Sequence, residues 1–159
     1  MKFKGDIIIT DPCYIIPNTP EYDRDWEKCS YGEDMEALGF TNCITSDTYY
    51  GDWSCTVYEM IFEKLEDPKV IYDIGEEIGE FCADAGKVGV FLLDEVLKYN
   101  PDFDYHIEKP WTTTLIKDFD GYVDFEFTEE YDENIDDLLS NLIVVGKGNI
   151  NFVGYQTGL

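Results

Sequence analysis

One long run of small and apolar residues, residues 80–93, constrains the fold of this chain more than any other feature. It reads EFCADAGKVGVFLL and is the least charged long stretch of the sequence. A run this apolar is stable only when it is buried, so the charged remainder has to pack around it. Its pattern predicts a strand, a tight turn of small residues, a second strand and the start of a helix.

The charge balance limits the partners that the protein can bind. There are 35 acidic residues against 11 basic ones, the formal net charge is −24, and Arg24 is the only arginine. Phosphate-binding sites use arginine or lysine, so this composition disfavours binding to DNA, RNA or an anionic membrane. The field of such a chain attracts basic surfaces instead. The aromatic fraction of 16% indicates a folded protein rather than a disordered acidic segment.

The length of 159 residues fits a single domain over residues 1–159. No apolar run reaches the roughly 18 residues of a membrane span, and the N-terminus lacks the features of a secretory signal. We therefore expect a cytoplasmic protein that does not contact membranes. The five cysteines form no C-x-x-C pair and His106 is the only histidine, which favours free thiols over a zinc site. We expect neither a metal nor a cofactor.

The first part of the chain predicts a strand pair over residues 6–16. Ile7, Ile8 and Ile9 form a continuous β-branched run, which is typical of a strand covered on both faces. The pair is interrupted at Asp11-Pro12, because proline has no amide hydrogen to donate to a ladder.

Two short helices are predicted next. The first begins with Thr19 as its N-cap and Pro20 at its first helical position. The second covers residues 33–38, with a capping box over residues 30–33 and Gly39 after its last residue.

The remaining elements are mostly strands. Strands are predicted over residues 55–62 and 70–72, and a terminal hairpin over residues 142–155 with its turn near residues 146–149. Helical periodicity starts at Leu92 and stops at Asn100, which precedes a proline.

A further hairpin is predicted around Asp120-Gly121, a strong signal for a two-residue turn. Its strands would cover residues 112–119 and 122–128. The predicted register places Phe119 opposite Tyr122 and makes one face apolar and the other polar. The same register places Lys117 opposite Asp124, Ile116 opposite Phe125, and Thr114, Ile116, Val123, Phe125 and Phe127 on one face. Strands dominate and helices are short, so we expect an α+β fold with a largely antiparallel, twisted sheet and three or four short helices.

Two motifs carry a resemblance to a known group of proteins. Asp11-Pro12-Cys13-Tyr14 and the segment DAGKVG at residues 84–89 resemble small uncharacterised proteins of phages, other mobile elements and bacteria. These proteins pair a D-P-C-Y motif with a D-[AS]-G-x-x-G motif, often with an aromatic-Gly-Asp turn like that at residues 50–52. Many of them have glutamine at the position of Lys87. The resemblance implies a compact β-rich domain in a phage or mobile-element setting, and no activity.

The distribution of charge leads to the main functional hypothesis. Residues 31–63 and 118–146 contain no lysine or arginine, and aromatic residues are interleaved with their acids. Carboxylates along a ridge can imitate phosphates and block a basic channel. We therefore expect a non-enzymatic DNA mimic that inhibits a host defence nuclease. The residues predicted to contact this basic partner are Glu129, Glu130, Tyr131, Asp132, Glu133, Asp136 and Asp137. Alternatively, the acids only keep the protein in solution.

A second hypothesis is a carboxylate site for a small ligand or a metal, possibly hydrolytic in character, formed by Asp11, Asp52 and Asp84. Asp11 also has a structural interpretation, as a cap for nearby backbone amides. Nucleophilic catalysis is disfavoured, because His106 is the only histidine that could act as the base for a serine or cysteine nucleophile.

Overall fold

The structure is a computed structural model of the chain. It describes residues 1–47, 54–66, 69–82, 84–105, 112–125, 141–146 and 149–154. Eight strands, two α-helices and two 3₁₀ helices lie in these ranges. In chain order they are β1 (Lys2–Thr10), η1 (Pro12–Tyr14), α1 (Tyr22–Lys28), η2 (Met35–Leu38), β2 (Cys43–Asp47), β3 (Ser54–Glu66), β4 (Lys69–Cys82), β5 (Lys87–Leu92), α2 (Leu93–Tyr99), β6 (Thr113–Phe125), β7 (Asn141–Gly146) and β8 (Asn149–Gly154).

The strands form one sheet in the order β2-β5-β1-β6-β8-β7-β3-β4. The pairs are antiparallel except β6–β8 and β3–β7, which are parallel. The α+β class with a largely antiparallel sheet is therefore confirmed. No helix in the described ranges is long and apolar enough to span a membrane.

The sheet curls so that one of its edges meets its middle. Strand β4 is last in the order, yet a Cβ placed on its Gly79 would overlap the Thr114 side chain of β6. Only a glycine leaves room for this close approach. The curl also allows β4 to end at Cys82 while β5, near the other edge, begins at Lys87. The predicted order of strand, turn, strand and helix over residues 80–93 is confirmed.

The sheet buries apolar side chains on both faces. The inner cluster, enclosed by the curl, consists of Phe3, Ile7, Ile9, Val57, Val88, Val90, Phe119 and Val123. The helix-side cluster, under the helices, consists of Ile8, Ile15, Ile16, Cys29, Met35, Phe40, Phe91, Leu93, Val96 and Phe103. Because strand side chains alternate, Ile7 and Ile9 enter one cluster and Ile8 the other. This confirms that β1 is covered on both faces.

The predicted hairpin at Asp120-Gly121 is wrong. Strand β6 runs without a turn from Thr113 to Phe125 and pairs with β1 on both sides of this dipeptide. Phe119 therefore pairs with Gly5 rather than with Tyr122, and Lys117 and Asp124 lie on the same strand.

A β-bulge explains why the sequence resembled a hairpin. Between Phe119 and Ile116, β6 has one residue more than β1, and Asp118 adopts a left-handed φ of 53°. The Asp118 amide donates to Asp6 Oδ1 at 2.9 Å. The extra residue moves the inward-facing positions from even numbers, as at Ile116, to odd numbers, as at Val123. A two-residue turn would produce the same change of parity, so the pattern alone could not separate the two structures.

Two local predictions near the N-terminus also need correction. Residues 13–16 do not resume a strand: η1 follows Asp11 directly, with Pro12 at its first position. Helix α1 begins at Tyr22 with Glu21 as its N-cap, so Thr19 and Pro20 precede it.

The predicted capping box before η2 is also wrong. Asp34 is the N-cap of η2, and Ser30 lies in the turn that ends α1. The predicted Gly39 C-cap is confirmed by its left-handed φ of 97°. The predicted strand at 70–72 is part of the longer β4, and the terminal hairpin is confirmed as β7–β8.

Candidate functional site

A layer of helices and loops covers one face of the sheet and is rich in acidic residues. This helical layer comprises residues 12–42 and 93–105, and its apolar side chains form much of the helix-side cluster. Its bases are Arg24, Lys28 and Lys98. Its acids are Glu21, Asp23, Asp25, Glu27, Glu33, Asp34, Glu36, Asp94, Glu95, Asp102 and Asp104. The layer therefore presents a strong excess of negative charge.

The acids of the helical layer are only partly neutralised by bases. Arg24 Nε lies 3.8 Å from Asp25 Oδ1, but the Arg24 side chain is 76% exposed. Lys87, from the sheet, places its Nζ 3.1 Å from Glu33 Oε1. The Lys87 side chain is largely buried, whereas the Arg24–Asp25 pair is open to solvent, and such an exposed pair contributes at most about 1 kcal/mol. Most of the negative charge of the layer thus faces solvent.

Three aromatic rings lie among these acids. The Tyr22 and Trp26 rings stack on α1 with their centroids 6.3 Å apart and their planes at 26°. The Tyr31 ring meets Trp26 edge-on, with a centroid distance of 6.3 Å and an angle of 86°. We call these three residues the aromatic ladder. Tyr22 and Trp26 pack partly on the helix-side cluster, whereas Tyr31 is 57% exposed.

The end of α1 sets the position of Tyr31. The Ser30 amide donates to Glu27 O at 3.0 Å and the Tyr31 amide to Trp26 O at 2.9 Å. These are the two bonds of a Schellman motif, which normally has glycine as its left-handed residue. Here Ser30, Tyr31 and Gly32 are all left-handed, with φ of 53°, 57° and 92°. The turn is strained at its two non-glycine residues.

Gly32 is needed at the third position of this turn. A Cβ on Gly32 would lie 3.0 Å from Cη2 of the Trp26 indole and 3.3 Å from Cβ of Pro12. The Gly32 backbone therefore packs closely against both the Trp26 indole and Pro12 of the D-P-C-Y motif.

Asp11 joins the two sequence motifs. It is 0% exposed. Its Oδ1 accepts a hydrogen bond from the Cys13 amide at 3.0 Å. Its Oδ2 accepts from the Ala85 amide at 2.8 Å and from the Lys87 amide at 3.2 Å. The predicted capping of local backbone amides by Asp11 is therefore confirmed, at Cys13, and the two bonds to the β4–β5 connection are long-range contacts that the sequence did not indicate.

Burial and hydrogen bonding act on Asp11 in opposite directions. Burial raises the pKa of its carboxyl, while the three backbone amides lower it, and burial is the larger effect. These bonds satisfy amides that would otherwise lack partners, so the position of Asp11 fits a structural role. Asp84 lies on the same connection and is exposed, and Asp52 lies outside the described residues. The ligand site at these three residues stays a prediction.

Among the side chains that the structure describes, the cysteines do not resemble activated nucleophiles. Burial, followed by the charges of Asp11 and Asp84, raises the pKa of the Cys13 thiol. Burial raises the pKa of Cys29, and burial with nearby acids raises that of Cys43 to about 12. A nucleophilic cysteine requires a lowered pKa. His106 lies outside the described residues.

Two depressions open on the helical layer, and in each of them a polar side chain is bonded to the backbone of the fold. At the first, Glu95 accepts hydrogen bonds from the amides of Thr41 at 2.9 Å and Asn42 at 3.0 Å. Burial would raise the pKa of Glu95, but these bonds lower it below the usual value. At the second, the Asn100 side chain donates to Ile15 O at 3.0 Å. In the described part of the chain, no group of three or more His, Cys, Asp or Glu residues could hold a metal ion.

The acids predicted to contact a partner lie outside the described residues. They are Glu129, Glu130, Asp132, Glu133, Asp136 and Asp137, with Tyr131 among them. The acids of the helical layer were not singled out from the sequence, because no local pattern predicts that α1, η2 and α2 cover the same face. No family model, curated protein or solved structure matches this chain.

Proposed function

We propose that this protein is a non-enzymatic inhibitor that binds the basic, nucleic-acid-binding surface of another protein by mimicking DNA. The observation that carries the proposal is the concentration of weakly neutralised acids on the helical layer. A field of one sign attracts a complementary surface and speeds association, and salt weakens this effect because the Debye length is only about 8 Å at physiological ionic strength. The resemblance of the two motifs points to a phage or mobile-element setting, and a host defence nuclease is the partner that fits it.

The exposed carboxylates and their arrangement on the surface both contribute to the mimicry of DNA. Carboxylates that stand along exposed helices and turns take the place of phosphates, and basic side chains of the partner pair with them. The predicted acids at residues 129–137 would extend this surface or form a second one. Because the partner normally binds DNA, the protein would compete with DNA rather than act on it.

A retention experiment tests the proposal. The immobilised protein is incubated with a panel of defence nucleases in low and high salt. We expect at least one nuclease to be retained in low salt and released in high salt. If no basic partner is retained even in low salt, the proposal is wrong.

Charge reversal with a matched control locates the surface. Asp23, Glu27 and Glu36 are exposed acids of the helical layer, and their replacement by lysine should abolish retention. Glu76, Glu77 and Asp120 are exposed acids outside the layer, and the same replacement there changes the net charge equally. If both triple variants lose binding to the same extent, total charge rather than the helical layer determines recognition. A third variant that reverses Glu129, Glu130 and Asp132 tests the predicted segment in the same assay.

A further inference from the structure

Tyr31 combines two features that work against the stability of the fold. It is 57% exposed, which makes it one of two large hydrophobic residues that stand out from the surface of the described chain. Its backbone is left-handed at φ 57°, a conformation that is rare for a bulky side chain. Strained positions of this kind are concentrated at functional sites, so an observed outlier justifies a functional hypothesis.

The surroundings of Tyr31 form an open aromatic face. None of the residues of α1 is buried, although Tyr22 and Trp26 contact the helix-side cluster. The aromatic ladder therefore continues from the partly covered Tyr22 to the exposed Tyr31. The acids nearest in sequence to Tyr31 are Glu27, Glu33 and Asp34, all of them exposed.

Charge complementarity identifies the occupant of this face. Exposed aromatic rings attract cations to their faces, and the neighbouring carboxylates attract the same group. A guanidinium group can stack on a ring and bond to a carboxylate through two parallel hydrogen bonds, which an ammonium group cannot do. A partner segment that contains arginine matches both requirements better than one that contains only lysine.

We infer that the aromatic ladder is the anchor at which a basic partner protein inserts an arginine side chain, with Tyr31 as the main contact. The inference rests on the proposed function, and it adds the position and the chemistry of the central contact. Tyr31 lies at the exposed end of the ladder, where a side chain from the partner can reach it without a change in the fold. The exposed acids close to it in sequence contribute to the attraction at long range, and the ring determines the preference for arginine.

The test uses two peptides of equal charge, octa-arginine and octa-lysine, at low ionic strength. Affinities are measured by calorimetry for the wild type, Tyr31→Asn and Tyr31→Phe. Asparagine tolerates the left-handed backbone but removes the ring, and phenylalanine keeps the ring. We expect Tyr31→Asn to weaken the binding of octa-arginine about two- to five-fold, which corresponds to the energy of one exposed cation–π contact. Tyr31→Phe should bind like the wild type, and the affinity for octa-lysine should change less.

The outcomes separate this inference from the proposed function. If octa-arginine binds the wild type and Tyr31→Asn with equal affinity, the anchor is refuted while the acidic surface stands. If the affinities for both peptides fall by the same factor in Tyr31→Asn, the preference for arginine is refuted. If neither peptide binds the wild type, both the anchor and the proposed function are wrong. Thermal unfolding of Tyr31→Asn, which we expect at or above the wild-type temperature, shows that the variant is folded.

Discussion

Replacing Asp11 with alanine should destabilise the protein through three backbone amides at once. The wild-type carboxylate accepts from Cys13, Ala85 and Lys87 at 3.0, 2.8 and 3.2 Å. Each amide left unpaired in a buried place costs about 1–3 kcal/mol. These amides lie at partly buried positions that water can approach, so values near the lower limit apply. The alanine variant also avoids the free-energy cost of burying a carboxylate.

The net loss should be about 2–4 kcal/mol, because alanine removes every acceptor from the three amides, whereas the pKa of Asp11 compares only the ionised carboxyl with the protonated one. Equilibrium unfolding in urea, followed by far-UV circular dichroism, measures this loss as a lower midpoint at unchanged slope. Asp84→Ala is the matched control, because Asp84 lies on the same β4–β5 connection but is exposed. It should change the free energy of unfolding by less than about 0.5 kcal/mol. A loss below that limit for Asp11→Ala would refute the role of Asp11 in joining the two motifs.

Three further predictions concern single side chains, and each is measured by the same unfolding assay. Ser30→Gly should stabilise the protein by up to about 1 kcal/mol, because Ser30 has φ 53° at the end of α1 and glycine adopts this conformation without strain; a loss of stability would contradict the strain. Thr114→Val should be neutral or stabilising, because the buried Thr114 hydroxyl has no hydrogen-bond partner among the described residues. Thr113→Val should cost about 1 kcal/mol, because the Thr113 hydroxyl donates to Ile9 O at 3.3 Å; equal effects of the two substitutions would contradict this difference. Burial raises the pKa of Asp11 above 3.8, so the folded state holds the proton more tightly than the unfolded state. The stability that this proton adds is complete below pH 3.8 and is lost as the pH rises through the folded pKa. The stability of the wild type relative to Asp11→Asn should therefore fall over that window, and a rise would mean that the hydrogen bonds outweigh burial.

Local patterns predicted those parts of the fold that depend on a residue and its near neighbours. The β-branched run at Ile7–Ile9 predicted a strand buried on both faces, because alternation alone assigns the side chains to the two clusters. Gly39 predicted the end of η2 for a similar reason, since few residues tolerate its left-handed φ of 97°. A local turn signal also predicts the hairpin β7–β8.

The failures occurred where two structures share one local pattern. At Asp120-Gly121 a hairpin and a bulged strand give the same alternation, and the pairing of β6 with β1 decided between them. Pro12 predicts a break within a strand, but Asp11 and Pro12 together start a 3₁₀ helix. In both places tertiary contacts override the local preference.

The candidate site was less predictable than the fold, because its parts come together only in three dimensions. The bonds from Asp11 to Ala85 and Lys87 join residues more than seventy positions apart, and no periodicity indicates them. The stacking of Tyr22 and Trp26 follows from their helical spacing, which places both on one face. The exposure of Tyr31 depends on the strained turn after α1, which has serine where glycine is usual.

Competition with DNA tests the central claim most directly. A nuclease that the protein retains is loaded with fluorescent duplex DNA, and the protein is then added while the anisotropy of the DNA is recorded. If the acids of the helical layer take the place of phosphates, the protein releases the DNA, and the variant with lysine at Asp23, Glu27 and Glu36 does not. If the DNA stays bound while the protein binds the same nuclease, the protein does not mimic DNA and the central claim is contradicted.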